Sequence, residues 1–170
     1  MGLFDKLNGT KYPADGVVPV SVGEVRGVLL GLGGGDVPYV VRDGAPEGAD
    51  LVAEWRVAEP AWQSVFVRSQ LTRAVRFRMR LVEKEHEVRV IEEGWQVKRV
   101  GNPPRLEVSG EYTRGPDRTV SRSYAVKRGE SGGIEATETF RFDSAELRDP
   151  LQAAVLKAGW IWRGVMFGRL

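Results

Sequence analysis

The chain has 170 residues, 42% hydrophobic and 28% charged, with no cysteine and a formal net charge of +2. That length suits one domain able to bury about 70% of the surface its unfolded form exposes, and the composition excludes a disordered chain. The missing thiols exclude disulfides, cysteine-ligated zinc and thiol catalysis. A small cationic excess, carried by 19 Arg and 6 Lys, does not point to nucleic acid as a partner, because such binders concentrate basic charge on one face.

Residues 1–170 read as a single domain, with 1–20 an N-terminal loop and extension and 149–170 a C-terminal helix and tail. Met1 to Leu7 lacks the basic region and long apolar run of a secretory signal, and Lys6 stands where a myristoylation pattern wants Ser or Thr. Both point to a cytoplasmic protein. Leu3, Phe4 and Leu7 form an apolar face one turn long, too small for stable membrane anchoring, so the expectation is that it docks on the domain or frays.

After a loop from Gly9 to Pro19, Ser21 and Glu24 make a capping box, and Val25, Val28, Leu29 and Leu32 follow at helical spacing. A helix from about Val22 to Leu32 is predicted. The cluster Gly31-Leu32-Gly33-Gly34-Gly35-Asp36 closes that helix instead of opening one, and no Gly-Lys-Ser/Thr follows, so it reads as a cap and loop and not a phosphate cradle. Tyr39–Arg42 is read as a short strand. Leu51–Val57 alternates as a half-buried strand, and Pro60 opens a helix with Trp62, Val65, Phe66 and Ser69 on one side, although Val65-Phe66-Val67 also suits an extended run.

Val75, Phe77, Met79 and Leu81 alternate with Arg76, Arg78 and Arg80, giving one apolar face and one guanidinium face. A two-residue hairpin closed by Glu83 and His86 would set Leu81 opposite Val88, Met79 opposite Val90 and Arg76 opposite Glu93. Gly94 marks a bulge before Trp95, Val97 and Arg99. Asn102-Pro103-Pro104, Gly115-Pro116-Asp117 and Ser131-Gly132-Gly133 are turns. Between and after them, alternating runs at Leu106–Tyr112, Val120–Val126 and Ile134–Phe142 continue an antiparallel meander.

Asp149-Pro150 reads as a helix start, and the tail beyond it is apolar or small except for Lys157, Arg163 and Arg169. A bilayer span needs about 20 uninterrupted apolar residues, so this is a core helix and no transmembrane segment is expected. Trp160 and Trp162 would lie about 200° apart on it and point to different clusters. The expected fold is therefore α+β, with a curved antiparallel sheet of about seven to nine strands wrapped on a hydrophobic C-terminal helix and one or two short helices nearer the N-terminus.

In layout the chain resembles the helix-grip fold of START-like and Bet v 1-like proteins, whose antiparallel strands precede a C-terminal helix and enclose an apolar ligand cavity. It is also similar to the tubby-like and scramblase-like barrel, which closes around a hydrophobic C-terminal helix. Val41-Arg42-Asp43-Gly44-Ala45-Pro46-Glu47-Gly48 and the ending Gly159-Trp160-Ile161-Trp162-Arg163-Gly164-Val165-Met166-Phe167-Gly168 look like a group of uncharacterised actinobacterial proteins of similar length. That resemblance implies a single domain and carries no known activity.

No catalytic constellation emerges. His86 is the one histidine, set between Glu85 and Glu87 in a turn, and no serine has the setting of a nucleophile. One imidazole and no thiol make a metal site improbable, and no cofactor is implied. Glu83, Glu85, Glu87, Glu92 and Glu93 read as charges compensated by neighbouring arginines on solvated strand faces. Arg76, Arg78 and Arg80 would stand in a row about 7 Å apart, suited to an anion, an anionic lipid or an acidic partner, with an ordinary solvated face the competing and favoured reading. Trp55, Phe77, Trp95, Trp160 and Trp162 are candidates for lining an apolar pocket, with core filling the competing reading. These residues favour a binding protein over a catalyst of a type the sequence does not name, with a protein partner favoured. The alternative is a carrier of a small apolar ligand or lipid in a cavity between sheet and C-terminal helix.

Overall fold

A computed structural model describes residues 2–69, 71–115, 126–128, 134–136, 144–166 and 168–170. In chain order these form α1 (Leu3–Leu7), α2 (Val22–Gly31), β1 (Tyr39–Asp43), β2 (Leu51–Trp55), α3 (Pro60–Arg68), β3 (Arg73–Val82), β4 (Glu87–Val100), β5 (Arg105–Arg114), β6 (Val126–Arg128), β7 (Ile134–Ala136), α4 (Ser144–Lys157) and β8 (Ile161–Gly164). Strands β1 to β5 pair antiparallel in sequence order in a curled sheet, β8 joins the first half of β4 on the edge whose second half takes β5, and β6 pairs with β7 separately. Pro116-Asp117, the run from Val120 to Ala125, Ser131-Gly132-Gly133 and the end of the Ile134–Phe142 run lie outside the described residues.

Local signals explain the early elements. The Ser21 hydroxyl accepts from the Glu24 amide at 3.3 Å while Glu24 accepts from the Ser21 amide at 3.0 Å, closing the capping box that starts α2. Val25 and Leu29 are its buried pair, and Val28 faces out. Pro60 stands at the start of α3, where the missing N–H costs nothing. Trp62, Val65, Phe66 and Ser69 are all buried, so the helical period prevails over the extended alternative. The hairpin register holds at all three expected pairs, Leu81 with Val88, Met79 with Val90 and Arg76 with Glu93. The connection is longer than expected: Val82 pairs with Glu87, and Glu83–Glu85 forms a 3₁₀ turn ended by His86 at a φ of 46°. β4 shifts register against β5 between Trp95 and Val97, the bulge expected after Gly94.

The C-terminus departs from the expectation. Its helix, Ser144–Lys157, runs through Pro150, because Leu147, Leu151 and Val155 continue one buried stripe across the proline. It ends at Lys157, before the tryptophans. Gly159 adopts a φ of 77°, its amide donates to the Leu156 carbonyl at 3.0 Å, and the Trp160 amide donates to Val155 at 3.1 Å. This pair of bonds is a Schellman turn, which satisfies carbonyls that α4 leaves open. Ile161–Gly164 is extended and pairs parallel with Glu87–Val90, so the sheet is not wholly antiparallel. Trp160 and Trp162 therefore turn to one side, both buried, contrary to the helical reading.

The segment after α1 locks this arrangement. Lys11 and Trp162 exchange backbone bonds of 2.8 and 2.9 Å, and the Val20 amide donates to Ala158 at 3.0 Å. At Gly164 an added Cβ would stand 1.8 Å from the Asn8 carbonyl oxygen, and at Gly159 one would meet Pro19 backbone at 2.8 Å. α2, α3 and α4 cover one face of the sheet, where Phe77, Met79, Phe66, Leu151 and Trp160 are fully buried. Each contributes about 1.5–3 kcal/mol by leaving water. Among the described residues no helix is long and apolar enough to cross a membrane.

Gly164→Ala should lower stability by about 2–3 kcal/mol, because the backbone of Asn8 cannot step aside as a side-chain tip would. Gly27→Ala, in the open on α2, should raise it by about 0.5–1 kcal/mol. Urea denaturation of the two variants reads both signs.

Candidate functional site

The face of the sheet away from the helices is polar, yet it is covered. Val52, Arg78 and Ile91 are register neighbours across β2, β3 and β4, and both apolar members are fully buried. Guanidinium stems roof them while the charged heads reach acceptors. Glu93, 3% exposed, accepts from Arg76 at 2.9 Å and from Arg78. The 3₁₀ turn Ala45–Glu47 folds over the same face. Arg42 donates to the Glu47 carboxylate and Arg78 to its carbonyl at 3.0 Å, while Arg80 donates to the Gly48 carbonyl at 2.7 Å. The Arg42 hydrogen bond holds the Glu47 carboxyl below the usual range.

The expected stripe thus divides. Arg76 and Arg78 are neutralised by carboxylates and Arg76 also stacks over Trp95 at 4.4 Å. Arg80 instead stands opposite Arg89, which stands opposite Arg163 on β8. Between the last two, buried Glu87 accepts from Arg89 at 2.6 Å and from Arg163 at 3.1 Å. Charge compensation by arginine is found at Glu87, Glu92 and Glu93, but these three are buried rather than solvated, while Glu83 and Glu85 are exposed in the turn.

Arg163 also reaches α1, donating to Asp5 at 3.2 Å, and the Tyr12 hydroxyl donates to the other Asp5 oxygen at 2.7 Å. These bonds fix the orientation of the one-turn helix, with its acid turned inward. Leu3, Phe4 and Leu7 consequently face outward at 73, 79 and 61% exposure, so the apolar face does not dock on the domain. Between α1, the end of the β3–β4 hairpin and the tail after β8 lies a groove of about 800 Å³. Phe4, Leu7, Val165 and Met166 supply its apolar wall and Arg89, Arg163 and Arg169 its cations.

The five aromatics proposed for a pocket are not brought together. Trp55 packs edge-on to Tyr39 and Phe66, and Trp160 is buried with its indole N–H donating to Val20 at 2.9 Å. Trp55 and Trp95 line an open groove of about 430 Å³ at the end of β2. Phe77 and Trp162, 6.2 Å apart, line a separate cavity of about 270 Å³ against α4. One wall of that cavity is the pair formed by Arg148 of α4 and Glu92, bonded at 2.8 and 2.9 Å. Sequence reasoning missed Asp5, Tyr12 and Arg148 as members of sites, since Asp5 and Arg148 gain their roles from partners far along the chain and Tyr12 acts through Asp5.

Two features carry less chemistry than their residue types suggest. The glycine loop after α2 turns carbonyls, not amides, to its ligand: Arg56 donates to Gly33 at 3.1 Å and to Gly34 at 3.0 Å, and also to Val37 and Tyr39. His86 is exposed in its turn and meets Trp160 edge-on at 5.7 Å. Among the described residues no three acidic or imidazole side chains converge as a metal site would require.

Replacing Arg76 and Arg78 together by glutamine leaves the buried Glu93 carboxylate without a cation, so unfolding in urea should show a loss of about 3–5 kcal/mol. Docking of α1 should depend on pH through Asp5, whose pKa is lowered by the Tyr12 hydroxyl, the Gly2 amide and Arg163. A depressed folded-state value means the contribution is intact above the ordinary aspartate range and disappears as pH falls through that lower value. Amide exchange at α1 and Thr10 should accelerate only in that acid window, and Asp5→Asn should remove the transition.

The chain matches no protein-family model, no curated protein and no solved structure, so the functional reading rests on the geometry of the site alone.

Proposed function

We propose that the protein is a non-enzymatic binding protein and that its docking face is the groove bordered by α1 and the tail after β8. The observation that carries this reading is the inverted seating of α1. Its one acid is turned onto the domain by Tyr12 and Arg163, while Leu3, Phe4 and Leu7 stand in solvent. Solvated apolar side chains held in fixed positions beside a groove mark an interaction surface. The groove's volume of about 800 Å³ falls in the range of ligand-sized sites. The carrier reading has less support. The cavity between sheet and α4 is about 270 Å³, and the Glu92–Arg148 pair forms part of its wall, a poor lining for an apolar guest.

A photo-crosslinking phenylalanine at position 4 of the full chain, irradiated in cells, should yield discrete adducts. The same probe at exposed Gln96 on β4 should yield none. Failure to obtain any adduct at position 4, with protein or with lipid, would overturn the assignment of this face.

A further inference from the structure

We infer that the occupant of this face is the surface of an anionic bilayer; the inference rests on the docking-face reading and adds its partner. Leu3 and Phe4, 73 and 79% exposed, are among the most exposed large apolar side chains described, even though Phe4 also borders the groove. A protein partner would need complementary surface over roughly 800 Å² per side. A single helical turn with a projecting aromatic suits insertion at the headgroup–acyl boundary.

Charge supplies the second element. Arg80, Arg89 and Arg163 are register neighbours across three strands, Arg163 reaches α1, Arg169 shares the groove with Arg89 and Arg163, and Lys6 is exposed on α1. Of the acids nearby, Glu87 and Asp5 are engaged by the protein's own cations. Glu87 is shared by Arg89 and Arg163, and Asp5 is held by Arg163 and Tyr12. Glu85 is the exposed acid of the groove, whereas Lys6 and Arg169 form no ion pair among the described residues. Apolar insertion alone, over one turn, gives marginal affinity, and a cationic patch against anionic headgroups is the companion that makes such association measurable. The combination predicts weak, reversible, salt-sensitive binding.

Sedimentation of the full chain with phosphatidylcholine vesicles, and with phosphatidylcholine–phosphatidylglycerol vesicles, tests this. Co-sedimentation is expected with the anionic vesicles, should fall in high salt, and should be lost in Phe4→Ser/Leu7→Ser, whose exposed sites leave the core untouched. Lys6→Gln and Arg169→Gln should each weaken it about fivefold. Absence of binding to anionic vesicles, equal binding to neutral ones, or indifference to Phe4→Ser/Leu7→Ser overturns the inference. If vesicles fail while the probe at position 4 captures a protein, the bilayer is wrong and the docking face stands. If both fail, both readings fall.

Discussion

The backbone pairing of Ile161–Gly164 with Glu87–Val90 is the constraint on which the rest depends. β4 is 14 residues long, and β5 pairs with its second half, from Glu93 onward. Its first half would otherwise present unpaired amides and carbonyls on the side away from β3. β8 fills that gap, and the Schellman turn at Gly159 is what redirects the chain from α4 into position to do so. Once β8 is placed, Trp160 and Trp162 are delivered to the helix-covered face. The free side of β8 then receives the Lys11 bridge, and Gly164 admits the Asn8 carbonyl where any side chain would collide.

How far the sequence was legible follows from the range of each signal. Period-two alternation from Val75 to Leu81 and again from Val88 located the hairpin and its register, because one buried face tolerates no slip. The capping box located α2. At the C-terminus two local signals competed. Asp149-Pro150 looks like a helix start, but Leu147, Leu151 and Val155 form a longer stripe, and burying three large side chains outweighs the roughly 3 kcal/mol that an interior proline costs. The stop signal was present in Lys157-Ala158-Gly159, as was the alternation Trp160-Ile161-Trp162-Arg163. An apolar run this short does not separate strand from helix without that glycine being given its weight.

The candidate site was less legible because alternation assigns a residue to a face but says nothing about what covers it. Arg76, Arg78 and Arg80 share one strand face, yet they have different fates. Glu93 comes from the neighbouring strand, Glu47 from a turn that folds over the sheet, and Arg163 from the far end of the chain. No spacing rule links those positions. Glu92 illustrates the converse case. It falls on the apolar side of β4 and is tolerable there because Arg148 of α4 reaches it, a pairing across more than fifty residues of sequence.

Asp5 and the three apolar residues around it compete for the same helical turn, and only one side of α1 can face the domain. The site it meets offers Arg163 and the Tyr12 hydroxyl, so the acid turns inward and the apolar side is left in water. Full transfer of Leu3, Phe4 and Leu7 out of water is worth at most about 5–9 kcal/mol. Folding of the domain does not use that free energy. Because α1 is already held by Asp5, a binding surface that receives these side chains need not order them first, which is where many flexible anchors lose affinity. What remains available is enough for reversible association and far below what a permanent anchor requires. A surface built this way would release its partner as readily as it engages it.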